Sequence, residues 1–145
     1  MQNIKLVREV SDLVGTCYFE FCLGKYQGIH WQDSSVFLED EVFGFIKPGF
    51  ARIMRNFNHY SVNELDIKKR SRILSELEAL VVDLESARSI EELDGKLGFL
   101  FDSTKFRFQK DFALNCRNLV HTIRELIEWI QKSVETHEYI AVLGI

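Results

Sequence analysis

The chain has 145 residues, 46% hydrophobic and 28% charged, with a net charge of -4. That composition fits one globular domain with a true core and excludes a disordered segment. The acidic balance argues against a general nucleic-acid binder. Cys17, Cys22 and Cys116 make an odd number, which reads as reduced thiols of a cytoplasmic protein.

The N-terminal stretch carries Lys5, Arg8, Glu9 and Asp12 where a secretion signal needs an apolar run. Leu6, Val10, Leu13, Val14, Cys17 and Phe21 recur at three- and four-residue steps, so a helix is predicted over 3–23. The β-formers and central glycine of "TCYFEFCLGKYQGIHW" also allow a hairpin, and "GKYQG" is a loop under either reading. A second helix is predicted from Asp33, Ser34 or Ser35, with the stripe Leu38, Val42, Ile46, Phe50, Ile53 and Phe57. Pro48 should bend or split it, because proline has no amide to donate.

"SVNE" from Ser61 reads as a capping box opening a third helix, with Ile67, Ile73, Leu74, Leu77, Leu80, Val81 and Leu84 as its stripe. The basic run "KKRSR" has Glu64 four residues before Lys68 and Glu76 four after Arg72, the pattern of a solvated face. "SIEE" at Ser89 signals another short helix, and "GFLFDSTKFRF" leaves room for a small β-hairpin. The last helix ends near Val134. Phe112, Cys116, Leu119, Val120, Ile123, Leu126, Ile127, Ile130 and Val134 hold its period. The terminal "YIAVLGI" is too short to span a bilayer. The expected architecture is an all-α, single-domain bundle of about five helices over residues 1–145.

Catalytic and metal signals are weak. Glu39, Asp40 and Glu41 are consecutive, and successive helical residues turn by about 100°, so they fan apart rather than converge on an ion. No paired Cys-x-x-Cys, phosphate loop or nucleophile elbow occurs. No metal, cofactor or catalytic residue is predicted. A cysteine nucleophile served by His59 or His137 has no local signature.

"LNCRNLVHTI" places Arg117, Asn118 and His121 on one helix. This resembles the Arg-Asn…His motif of the HEPN family of helical proteins, many of them ribonucleases, although the spacing here is short. The resemblance implies acid–base chemistry by His121, with Arg117 steadying phosphate charge. The plainer reading is a polar edge with His121 and Glu125 paired at one-turn spacing.

The stretch "HWQDSSVFLEDEVFGFI" sets Asp33, Glu39, Asp40 and Glu41 among aromatics without an intervening Lys or Arg. On a helix with Leu38, Val42 and Ile46 inward, Asp40 points out between Phe37 and Phe43, beside Gly44. Aromatics rimmed by acids suggest a surface for a basic protein partner, with Asp33, Phe37, Glu39, Asp40, Glu41 and Phe43 as its contacts. The alternative is that one Phe is covered by another part of this chain, for which the "GFLF" segment is a candidate. A second acidic run spans Glu76 to Asp94. A small acidic protein of this build resembles the immunity proteins of bacterial toxin systems, including contact-dependent growth inhibition. That resemblance implies a non-enzymatic inhibitor that covers the active site of a cognate toxin, and no contact with nucleic acid or membrane. A self-associating helical regulatory module is the third reading.

Overall fold

A computed structural model describes residues 3–145. The fold is mixed α/β, which corrects the all-α expectation: four helices pack with a four-stranded antiparallel sheet. In chain order the elements are β1 (Tyr18–Leu23), β2 (Val36–Glu39), α1 (Asp40–Ile53), β3 (Val62–Leu65), α2 (Ile67–Ser86), α3 (Asp102–Lys110), α4 (Phe112–Thr136) and β4 (Ile140–Leu143). The strand order is β2-β1-β4-β3, so the last segment of the chain inserts into the centre of the sheet.

"YFEFCL" explains why a strand forms where a helix was expected. Aromatics favour the pleated surface, and alternate side chains leave on opposite faces. Phe19 and Phe21 join the main core under the helices, while Tyr18 and Cys22 pack on the other face. The strand half of the hairpin reading holds, but the returning strand is β2, beyond the stretch that suggested it, in the register Phe19↔Leu38 and Phe21↔Val36. The three- and four-residue steps around it are accidental. Val14 and Cys17, two members of that stripe, are exposed.

β4 is "IAVL", buried on both faces. Ile140 and Val142 meet the helices, whereas Ala141 packs with Cys22 and Leu143 beneath Tyr26 and Val62. A central strand covered on both sides reads as a continuous apolar run rather than an alternating one. β2 is shielded at its edge by a reciprocal bridge between Val7 and Phe37, with N–H···O distances of 2.9 and 2.8 Å. Covering an edge in this way removes a template for unwanted strand pairing.

The loop between β1 and β2 is fastened by Glu20, 1% exposed. Its carboxylate accepts from the backbone amides of Trp31 (2.7 Å) and Gln32 (3.0 Å) and from Ser35 Oγ (2.6 Å). Trp31 sits at φ +61°, a left-handed conformation rarely adopted by large side chains, and its ring stacks on Phe37. Glu20→Gln replaces one carboxylate oxygen with a donor that faces donors. We expect a loss of about 2 kcal/mol. Hydrogen exchange should show the Trp31 and Gln32 amides losing protection first. Unchanged protection at those two amides would mean that the loop is held by other contacts.

α1 runs unbroken through Pro48 instead of splitting. Pro48 has no amide to offer Gly44 O, and Gly98 packs directly against that point of the helix. The Gly98 amide donates to Phe45 O at 3.1 Å, and a Cβ on Gly98 would lie 2.4 Å from Gly44 O. Only glycine allows that approach. "SVNE" forms β3 rather than a helical cap. Asp66 caps α2 instead, accepting from the Lys69 amide at 2.8 Å. "SIEE" makes a single 3-10 turn, Ile90–Leu93, and "DSTKFRFQK" is α3, not a hairpin.

The main core lies between the sheet and α1, α2 and α4. It takes in Ile73, Leu77 and Leu84 from α2 and Leu119, Ile123, Leu126 and Ile130 from α4. Those stripes follow the sequence expectation except at Ile67, which is exposed at the start of α2. Among the described residues, no helix is long and apolar enough to cross a membrane.

Candidate functional site

The acidic stretch divides between elements. Phe37 lies on β2 and Phe43 on α1, and both are fully buried. This corrects their expected outward placement. A helical turn of about 100° per residue does not hold across Phe37, because α1 starts only at Asp40. Phe37 packs with Val7, Tyr18 and Trp31. Phe43 stacks on Phe19 at a centroid distance of 3.9 Å and 15° between planes. The "GFLF" segment covers other parts of α1: Leu100 meets Gly44, and Phe99 meets Phe45 edge-on.

The acids remain at the surface. Asp33 is exposed, and Glu39, Asp40 and Glu41 are half-buried at the corner where β2 passes directly into α1. Asp40 and Glu41 occupy the first turn of α1, where the positive end of the helix dipole favours them. Asp40 Oδ1 also accepts from the Glu41 amide at 2.8 Å. Glu41 is clamped by Arg107 Nη2, 2.8 Å from both carboxylate oxygens. Glu39 has its carboxyl pushed above the usual range, first by burial and then by Asp40 and Glu41, while Lys5 and Asn3 oppose the shift. Ionising Glu39 therefore opposes folding as pH rises through its titration. A cation supplied from outside would remove that opposition.

The second acidic run is largely answered within the chain. Glu76 pairs with Arg52 (2.9 Å), Asp83 with Lys96 (3.3 Å) and Glu85 with Arg124 (3.1 Å), and Glu92 accepts from the Arg88 amide. The expected pairs within "KKRSR" are replaced by longer-range ones. Glu76 goes to Arg52, and Glu64 accepts from the Tyr26 amide. Arg70, at the middle of that run, is not solvated at all but fully buried.

The thiols Cys22 and Cys116 are buried, and burial pushes them up to about 12 and about 11. Neither forms a ready thiolate near neutral pH. His59 is also buried. Its Nδ1 lies 3.2 Å from Lys47 Nζ, its ring meets Phe19 edge-on, and burial together with Lys47 lowers its affinity for a proton. Among the described residues, no cluster of three or more His, Cys, Asp or Glu is arranged to hold a metal ion.

One groove of about 670 Å³ opens between the C-terminal end of α2 and the first half of α4. Its floor is Leu84, Phe112, Cys116 and Val120. Its rim carries Arg88, Arg117, His121 and Arg124 with one acid, Glu85. Arg117 and His121, singled out in the sequence, thus face one cavity. His121 Nε2 lies 3.2 Å from Glu125, the surface pair that its spacing suggested. Arg88 was not singled out, because it lies in a loop far away in the chain.

Comparison of the chain with protein-family models, with curated proteins and with solved structures returned no match.

Proposed function

We propose that this protein is a non-enzymatic inhibitor in the cytoplasm: an immunity protein that binds a basic, nuclease-type toxin and covers its active site. The observation that carries the reading is the β2–α1 corner. Glu39 sits half-buried beside Asp40 and Glu41, and Lys5 and Asn3 offset only part of the cost of its charge. Lys or Arg side chains of a partner would relieve the crowding there. Acids on a fixed corner also steer a cationic partner during encounter. With Phe37 and Phe43 buried, the contact is electrostatic at this corner, and its apolar part comes from other exposed groups.

The test is binding kinetics against the product of the gene adjacent to this protein's own. Asp40→Lys should still fold, at a cost of about 1 kcal/mol for the lost amide and helix-dipole contacts, because its side chain is partly exposed. It should lower the association rate by about tenfold at low salt, with little change in dissociation. Salt should erase the difference, since screening limits exposed charges to about 8–10 Å at physiological ionic strength. Unchanged association for both Asp40→Lys and Glu39→Lys would remove this corner from the interface.

A further inference from the structure

The α2–α4 groove has a charge opposite to that of the protein as a whole. The chain carries a net charge of -4, yet three arginines face one carboxylate in the groove. Glu92, whose carboxylate accepts from the Arg88 amide, lies beside the rim, and the arginines still outnumber the acids there. Glu85 is already engaged by Arg124 at 3.1 Å. Arg88 and Arg117 make no ion pair among the described residues. Their guanidinium groups are exposed and fork-shaped, suited to bidentate contact with oxyanions.

The floor is as informative as the rim. Leu84, Cys116 and Val120 are buried core residues that show only an edge here, and Phe112 is half-buried beside them. A solvated helix face needs no such floor. The size falls within the range of about 300–1,000 Å³ typical of small-molecule sites. An apolar floor under paired cations fits a ligand with a flat or aliphatic body and an anionic head. Two arginine forks without an ion pair match the several oxygens of a phosphate better than the two of a carboxylate.

We propose that the groove between α2 and α4 is a binding site for a small organic phosphate, with its phosphate on Arg88 and Arg117 and its body over Leu84, Phe112 and Val120. The site is separate from the β2–α1 corner and does not depend on the inhibitor reading. No bond is made or broken in it. Arg124 is held by Glu85 and closes the groove, and His121 is held by Glu125 at the rim.

The experiment is a two-dimensional amide NMR titration of the whole protein with adenosine monophosphate, adenosine and inorganic phosphate in turn. Adenosine monophosphate should give saturable shifts confined to residues 84–88 and 112–124. Adenosine and phosphate alone should each bind at least about tenfold more weakly, since each keeps only half of the contacts. Arg88→Ala with Arg117→Ala should weaken binding by about tenfold or more while leaving the melting curve in place. Ala113→Trp provides an independent variant. Ala113 is exposed at the groove, so an indole there should block the ligand without entering the core. Absence of shifts at about 5 mM adenosine monophosphate, a concentration well above the Kd of any specific site, would overturn the proposal. So would equal binding by the double variant, or binding of a single-stranded oligonucleotide without binding of the mononucleotide.

Discussion

Replacing Arg70 with methionine should cost about 3–5 kcal/mol, a large share of the roughly 5–15 kcal/mol that holds a typical domain folded. Arg70 is fully buried, and its guanidinium is spent on neighbouring oxygens. Nε donates to Asp66 O (3.3 Å), Nη1 to Ser133 Oγ (2.9 Å), and Nη2 to both His137 O (2.7 Å) and Glu138 O. His137 is the C-cap of α4, so the cation sits at the negative end of that helix. Burial lowers the proton affinity of Arg70 and Asp66 partly restores it. The group thus ties the start of α2 to the end of α4, just where the chain turns into the central strand β4. Methionine would keep much of the volume but strip the donors from the buried Ser133 hydroxyl and from the part-buried His137 and Glu138 carbonyls. Urea unfolding followed by circular dichroism should show a midpoint about 2 M lower, taking a slope near 2 kcal/mol per molar. Lysine should recover only part of the loss, because one ammonium cannot reproduce the fork. Lys68→Met and Arg72→Met, on the exposed side of the same run, should stay within about 0.5 kcal/mol of wild type. A loss below about 1 kcal/mol for Arg70→Met would show that the buried cation is dispensable.

That contrast within "KKRSR" shows where sequence reading succeeds and where it stops. Spacing along one helix is local, so the α2 and α4 stripes could be read directly, and their residues line the core. Arg70 could not be read, because its partners are the far end of another helix and the loop beyond it. Apolar periodicity says where a side chain can be buried, but not that a charged one has a cradle waiting. β4 failed for a related reason. "YIAVLGI" is too short for a membrane segment, and an apolar run of that length is also the mark of a strand buried on both faces. A strand there gives "YFEFCL" its partner from the far end of the chain. The strand pairs Glu20↔Leu143 and Cys22↔Ala141 join opposite ends of the chain, which no local window can contain.

The candidate sites were legible to different degrees. The identity and clustering of Glu39, Asp40 and Glu41 are sequence facts, and the structure keeps them at one half-exposed corner. Their aromatic neighbours were misplaced, because the direction of a side chain depends on the element that carries it. Arg117 and His121 were visible as a pair one turn apart. Arg88 and the apolar floor from α2 became apparent only when α2 and α4 were brought side by side.

Phe43 separates the two accounts of the acidic stretch most sharply, and Phe43→Ala should destabilise the protein by about 3–5 kcal/mol. A surface anchor would lose binding and keep its fold; a core ring does the reverse. Phe43 is wholly excluded from solvent, stacked on Phe19 at 3.9 Å and on Phe57 at 5.6 Å, with Phe50 and Phe21 at 5.2 and 6.1 Å. Truncation would leave a cavity between α1 and the sheet that these rigid rings cannot easily close. Aromatic contacts of this kind add about 0.5–1.5 kcal/mol per pair beyond the area they bury. Phe43→Leu should cost less, because it keeps most of the volume. Thermal and urea unfolding should therefore rank the variants as wild type, Phe43→Leu, Phe43→Ala in falling stability, with Asp40→Lys close to wild type. The same proteins, measured under conditions where each is folded, should show association with the toxin slowed by Asp40→Lys and little altered by Phe43→Leu. If Phe43→Ala instead melts with the wild type and speeds release of the partner, the ring is reachable from solvent and belongs to the interface after all.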